Sequence, residues 1–202
     1  MPANGTVRQL ALPVAAMAAV VALSNVAVQY PVTAFGLGDY LTYGALTYPL
    51  AFLVNDLTNR RFGPTLTRRV IYCGFAIAVV LSIALASPRI ALASGTAFLF
   101  GQLLDITVFN RLRRMTWWRA PLAGSLLGSA LDTVVFFSLA FAGDPMMSGP
   151  VTYPTFGVTV PLWVGLAFFD FLVKVAMALL LLVPYGALMG RIRPAEVVTA
   201  SR

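Results

Sequence analysis

The chain has 202 residues, 59% of them hydrophobic and only 10% charged, with a formal net charge of +7. Mean hydropathy is +0.86, the composition of a membrane protein, since soluble domains sit near half apolar and a quarter charged. With no histidine and one cysteine, the chain cannot build a disulfide framework, a Ser-His dyad, a histidine zinc site or a cysteine metal cluster.

A spanning helix needs about 20 apolar residues. Six segments qualify, at 9–30, 41–60, 69–87, 90–110, 117–142 and 161–188. They predict one membrane domain over 1–202, an all-α bundle of six transmembrane helices. The first segment is longer than a signal-peptide core and lacks a small-x-small end, so it reads as a helix of the bundle.

The arginines fix an expected orientation. Arg8 precedes the first span, and connection 31–40 has no cation but holds Asp39. Arg60, Arg61, Arg68 and Arg69 follow the second span, only Arg89 lies near Pro88, and Arg111, Arg113, Arg114 and Arg119 follow the fourth. Connection 143–160 again has none, and the tail has Arg191, Arg193 and Arg202. Cation-rich and cation-poor connections alternate, which puts both termini in the cytoplasm. Basic residues so placed point to a bilayer and not to nucleic acid. Connection 143–160, rich in Gly, Pro and Thr, reads either as a lid or as an ordinary exposed turn.

Ionisable groups within a span cost a few kcal/mol on insertion scales, about 2.5–3.5 each, and usually face the bundle interior. Span one has Asn25 and Gln29, span two Asn55, Asp56 and Asn59, and span four Gln102, Asp105 and Asn110. Span five has Asp132, and span six has Asp170 and Lys174, the sole lysine. Span three looks free of such groups, which predicts a peripheral, lipid-facing helix, with Cys73 as a small core residue. Asp170 and Lys174 are one turn apart, either a self-neutralising pair or a site whose charges swap partners. Asp56 lies four residues before Arg60, the spacing of a helix-end ion pair, and Asp105 six residues before Arg111, close enough for partial hydration. Gly124, Gly128, Asp132 and Phe136 form a stripe of period four, whose glycines admit a neighbouring helix and whose carboxylate lies too deep to reach water.

Asp56-Leu57-Thr58-Asn59-Arg60 echoes Asp105-Ile106-Thr107 followed by Asn110-Arg111, a weak hint of internal duplication. The protease-like strings Gly36-Leu37-Gly38-Asp39 and Ser94-Gly95 lack their partner groups, and no nucleophile–base pair or metal cluster appears. The chain therefore reads as a non-enzyme without a cofactor.

These motifs together resemble a known family. The stretch Leu46-Thr47-Tyr48-Pro49-Leu50-Ala51-Phe52-Leu53-Val54-Asn55-Asp56-Leu57-Thr58-Asn59-Arg60-Arg61-Phe62-Gly63 is similar to the signature of the queuosine precursor transporters. Residues Gln102–Arg113 and Gly128–Phe137 look like its second and third signatures, and Lys174 with Pro184-Tyr185 fits its ending. Gln102 departs from the pattern, an acidic residue being common there. The resemblance, over residues 10–190, implies a bacterial inner-membrane importer of 7-deazaguanine bases, the 7-cyano or 7-aminomethyl forms or queuine, for salvage into tRNA modification. The family is also similar to the substrate-binding subunits of energy-coupling-factor vitamin transporters.

The residues suit that cargo. A guanine-like edge offers two donors, which one carboxylate accepts together. Asn25, Gln29, Asn55, Gln102 and Lys174 could meet the exocyclic oxygen, and Tyr48, Phe136 and Trp163 could stack on the ring. The expectation is that the polar groups converge on one shared pocket. There Asp132 holds the donor edge, Asp105 and Gln102 lie opposite, and Asp56, Asn59 and Asp170 serve as gate or coupling groups. Proton coupling through Asp132, Asp170 or Asp105, energising ATPase partners, a homodimer and a non-transporting scaffold all stay open from sequence.

Overall fold

The computed structural model describes residues 3–34, 41–85, 87–153 and 157–192, with the side chains of 3–8 and of Leu85 set aside. The side chain of Arg8, the Gly36–Asp39 string, Arg193 and Arg202 lie outside the described residues. The helices are α1 (Ala3–Ala27), α2 (Tyr43–Thr47), α3 (Leu50–Phe62), α4 (Pro64–Leu85), α5 (Pro88–Leu112), α6 (Arg119–Phe141) and α7 (Leu162–Met189). Among the described residues, five of these are long and apolar enough to cross a membrane: α1, α4, α5, α6 and α7. Large apolar side chains such as Leu12, Val80, Leu92, Val134 and Val183 face outward, the surface expected of helices bathed in lipid. The chain is an all-α multi-pass membrane protein.

The sixth pass, expected as one helix over 41–60, is broken. Proline has no N–H to give and crowds the preceding turn. Around Pro49 the bonds tighten to i→i+3, from Ala51 N to Tyr48 O at 3.0 Å and from Phe52 N to Pro49 O at 3.1 Å. Tyr48 thus sits at the joint between α2 and α3. Asn55, Asp56 and Asn59 keep α3 from passing for a lipid-exposed helix, and all three are buried. Gly63, at φ 76°, makes the tight turn into α4 that a side chain would strain, and Pro64 opens α4 as its first residue.

Two ends can be told apart. At one, the exposed side chains of Arg61, Arg68, Arg69, Arg111, Arg113, Arg114 and Arg119 gather near helix termini. At the other, segment 143–160 contains a two-stranded antiparallel hairpin, β1 (Pro150–Tyr153) with β2 (Val158–Pro161), Pro150 opposite Pro161. Gly165, the fourth residue of α7, leaves room for the Tyr153 ring, so the hairpin is anchored to that helix. Arg89 donates to the carbonyls of Leu139 at 2.9 Å and Ala142 at 2.6 Å, satisfying orphan acceptors at the end of α6.

α5 and α6 pair most closely, along the glycine seam the sequence marked. A Cβ on Gly128 would lie 2.8 Å from the Gly101 carbonyl oxygen and 2.7 Å from Phe52. One on Gly101 would lie 3.0 Å from the Gly128 carbonyl. Small residues let two backbones touch, which is how helices associate without a hydrophobic drive in lipid. A core of Met17, Val21, Ala51, Ile71, Phe98 and Ile106 joins α1, α3, α4 and α5.

The expectation of a peripheral α4 is corrected by this packing. One face, with Tyr72, Val80 and Ile83, is exposed, but Val70, Ile71, Ala78 and Ser82 are buried. Apolar periodicity alone cannot tell lipid from a protein neighbour, because both are equally greasy. Cys73, expected inside, lies on the exposed face.

Candidate functional site

A cavity of about 190 Å³ lies in the half of the bundle nearer the hairpin. One water needs roughly 10–15 Å³ on this measure, so the space can hold a small molecule. α1 and the turn after it supply Ser24, Asn25 and Gln29; the α2–α3 joint supplies Tyr48; α4 gives Ser82 and α5 Ser94 and Phe98. α6 contributes Asp132 and Phe136, and α7 contributes Asp170 and Lys174.

The charged wall is tightly bonded. Lys174 Nζ donates to Asp132 Oδ2 at 2.8 Å and to Thr133 Oγ1 at 3.0 Å, and it lies 2.6 Å from Asp170 Oδ2. Of the ammonium's three donors, two make these hydrogen bonds, and Asp170 is held as an ion pair. Tyr48 Oη donates to Asp132 Oδ1 at 2.6 Å, while Thr133 donates to Asp170 Oδ2 at 2.8 Å. Two carboxylates share one ammonium, so the ionised cluster carries one net negative charge. Lys174 is also 5.4 Å from the Tyr48 ring centre, within cation–π range. The i,i+4 spacing of Asp170 and Lys174 is thus a real pair, and Asp132 reaches the same lysine from another helix.

Asn25, Tyr48, Asp132, Phe136, Asp170 and Lys174, all expected at the site, come together here. Ser82, which donates to Asn25 Oδ1 at 3.0 Å, and Thr133 were missed. A lone serine in an apolar span and a threonine beside Asp132 were the available signals.

Asp105, Gln102 and Asn55 do not line this cavity, and neither does Trp163. The reason is the glycine seam. Below Phe98, the contact of Gly101 with Gly128, plugged by Phe52, leaves no room between α5 and α6. The polar groups therefore form two layers and not the single pocket expected from sequence.

The second layer lies toward the arginine end. Asn55 Nδ2 donates to Asp105 Oδ2 and, at 3.3 Å, to the Gln102 carbonyl. Asn110 Nδ2 donates to Asn59 Oδ1 at 3.4 Å. Asp56 is within electrostatic reach of Asp105 and lines a small cavity together with Ser125. The two echoing stretches of sequence thus meet face to face. Asp56 is buried and Arg60 turns away from it, donating to the Met189 carbonyl at 3.2 Å, so the expected helix-end ion pair is not formed. Asp105 has no exposed surface, which corrects the reading of partial hydration.

A multi-pass bundle with a charged cavity between its helices has the form of a small-molecule transporter. The family model described as "Putative vitamin uptake transporter" matches residues 42–87 and 82–189, and the chain belongs to that family. It is accordingly a membrane transporter and not an enzyme. It is 35% identical over 205 residues to the "Probable queuosine precursor transporter" of Haemophilus influenzae, covering 85% of this chain and 82% of that protein. It is also 35% identical over 193 residues to the "Queuosine precursor transporter" of Escherichia coli K12, with the same coverages. Identity to the Bacillus subtilis "Probable queuosine precursor transporter" is 26% over 191 residues, 81% and 76% of the two chains. No solved structure matches the chain.

Proposed function

We propose that this protein imports queuosine precursors, 7-deazaguanine bases, across a bacterial inner membrane with both termini in the cytoplasm. The observation that carries the reading is the Tyr48–Asp132–Lys174–Asp170 cluster on the wall of the cavity, in a chain similar to proteins so named.

The chemistry fits the base. Its N1–H and exocyclic amine can both donate to one carboxylate, and a charged acceptor makes the stronger bond. Asp132 spends its oxygens on Tyr48 and Lys174. Binding exchanges these partners, so that the freed tyrosine hydroxyl or ammonium can donate to the exocyclic oxygen of the base. Tyr48, Phe98 and Phe136 offer apolar ring surface beside it, and aromatic stacking on a base contributes about 1–3 kcal/mol. The net negative charge of the cluster also accommodates an aminomethyl substituent.

Binding of 7-cyano-7-deazaguanine to the purified protein, with guanine as control, tests the reading. Asp132→Ala should abolish binding while the protein still reaches the membrane; undiminished uptake by that variant would reject the assignment. A second reading is a binding subunit energised by separate ATPase chains. The exposure of Ala15 and Ala19 on α1, a spacing that lets a partner helix dock, favours it. Uptake by this chain alone in proteoliposomes would eliminate that alternative, and absence of any thermal shift with deazapurines would favour a scaffold.

A further inference from the structure

The layer beneath the cavity has a charge problem that the cavity wall does not. Asp56 and Asp105 are both buried. Each keeps one carboxylate oxygen, Oδ1, without a hydrogen-bond partner, and among the described residues Asn55 is the side chain that donates to Asp105. No lysine or arginine of the described residues pairs with either one at ion-pair distance. Arg60 and Tyr185 approach from the arginine end, and Arg60 spends its Nε on Met189. Two neighbouring carboxylates out of water and without a cation cannot both stay ionised.

Independent observations point to a ligand there. Asp56 Oδ1, Asp105 Oδ1, Asn55 Oδ1 and both amide atoms of Gln102 are buried without a hydrogen-bond partner among the described residues. Buried polar atoms in native proteins are almost always bonded, and each exception calls for a cause. A cavity of about 10 Å³ lies against Asp56, Ser125 and Tyr185, about the room one water requires. Its remaining lining, Leu53, Pro121, Ala178, Leu181 and Leu182, is apolar. So small and oxygen-poor a space suits a proton delivered by water better than a metal cation needing a shell of several oxygens.

We propose that Asp56 and Asp105 together hold one proton, and that this proton is the coupling ion of transport. The proton arrives through the small cavity, sits on one carboxyl oxygen and is shared with the facing carboxylate. It leaves to water when the layer opens. The layer connects to the cavity in two ways. Gly128 abuts Asp105 while its seam partner Gly101 abuts Asp132. α3 carries Asn55 and Asp56 and begins at the Tyr48 joint, a discontinuous helix of the kind that lines transporter sites.

The coupling step rests on the importer reading; the shared proton does not, and the two are tested separately. Infrared difference spectroscopy of the protein in lipid should detect the carbonyl stretch of an un-ionised carboxylic acid at neutral pH, sensitive to heavy water. The band should shift in Asp56→Asn and in Asp105→Asn and vanish in the double variant. A wild-type protein without the band, or a double variant that keeps it, overturns the proposal. In proteoliposomes an inward proton gradient should raise uptake of 7-cyano-7-deazaguanine about fivefold or more, a response lost in Asp105→Asn. Stimulation by a sodium gradient in place of a proton gradient overturns the coupling. Failure of the wild type to bind the base would reject the importer reading and leave the infrared result standing.

Discussion

The two polar layers use similar residues and solve burial in opposite ways. Around the cavity, Asp132 and Asp170 share Lys174, which hydrogen-bonds Asp132 and Thr133 and ion-pairs with Asp170. One turn or so below, Asp56 and Asp105 are buried with amides and a serine for company, in a layer with only a small cavity. The first layer is balanced by a cation and keeps space for a guest. The second pairs with no cation among the described residues and has room for only about one water. An acidic residue in a membrane helix therefore does not announce one role, because its neighbours decide whether a cation balances it.

That contrast is broken most strongly at Lys174. Lys174→Met would leave two carboxylates uncompensated in the wall, at a cost of about 3–5 kcal/mol. A large fall in melting temperature in detergent is expected, with partial recovery when Asp170→Asn is added. An unaltered melting temperature would mean that the wall does not need its cation.

The next effect concerns the hydroxyl that reads Asp132. Tyr48→Phe removes a bond to a charged acceptor and should cost about 1.5–3 kcal/mol, seen as weaker deazaguanine binding in calorimetry. Equal affinity in the two proteins would show that the tyrosine acts only as a ring. Gly128→Ala acts on both layers at once, since its methyl meets the Gly101 carbonyl and Phe52. Overpacking costs about 1–3 kcal/mol. Thermal unfolding should register it, while Gly149→Ala, where nothing lies within 4 Å, serves as the neutral control. The smallest change is Ser82→Ala, which frees Asn25 Oδ1 from one neutral hydrogen bond of about 0.5–1.5 kcal/mol. A modest loss of binding with little loss of stability would sharpen the assignment of Asn25 to the cavity.

Much of this was written in the chain. Long apolar runs give the passes, because a backbone in lipid must bond within its own helix. The Asp170–Lys174 spacing gives a pair, and Gly124, Gly128 and Asp132 give a seam with a deep carboxylate. The break at Pro49 was legible in principle, although an apolar run on either side of the proline hides it.

The sequence by itself determined which residues are polar, which helix carries each, and which neighbours along one helix meet. Only the tertiary structure decided that Asp132 goes to the lysine while Asp105 goes to Asn55 and Asp56, that α4 helps wall the cavity, and that two layers exist. The reason is geometric. Periodicity fixes a side chain's direction around its own axis, whereas the depth at which helices touch depends on where a small residue on one meets a small residue on another. Gly101 against Gly128 set that depth here, and with it the divide between cavity and dry layer.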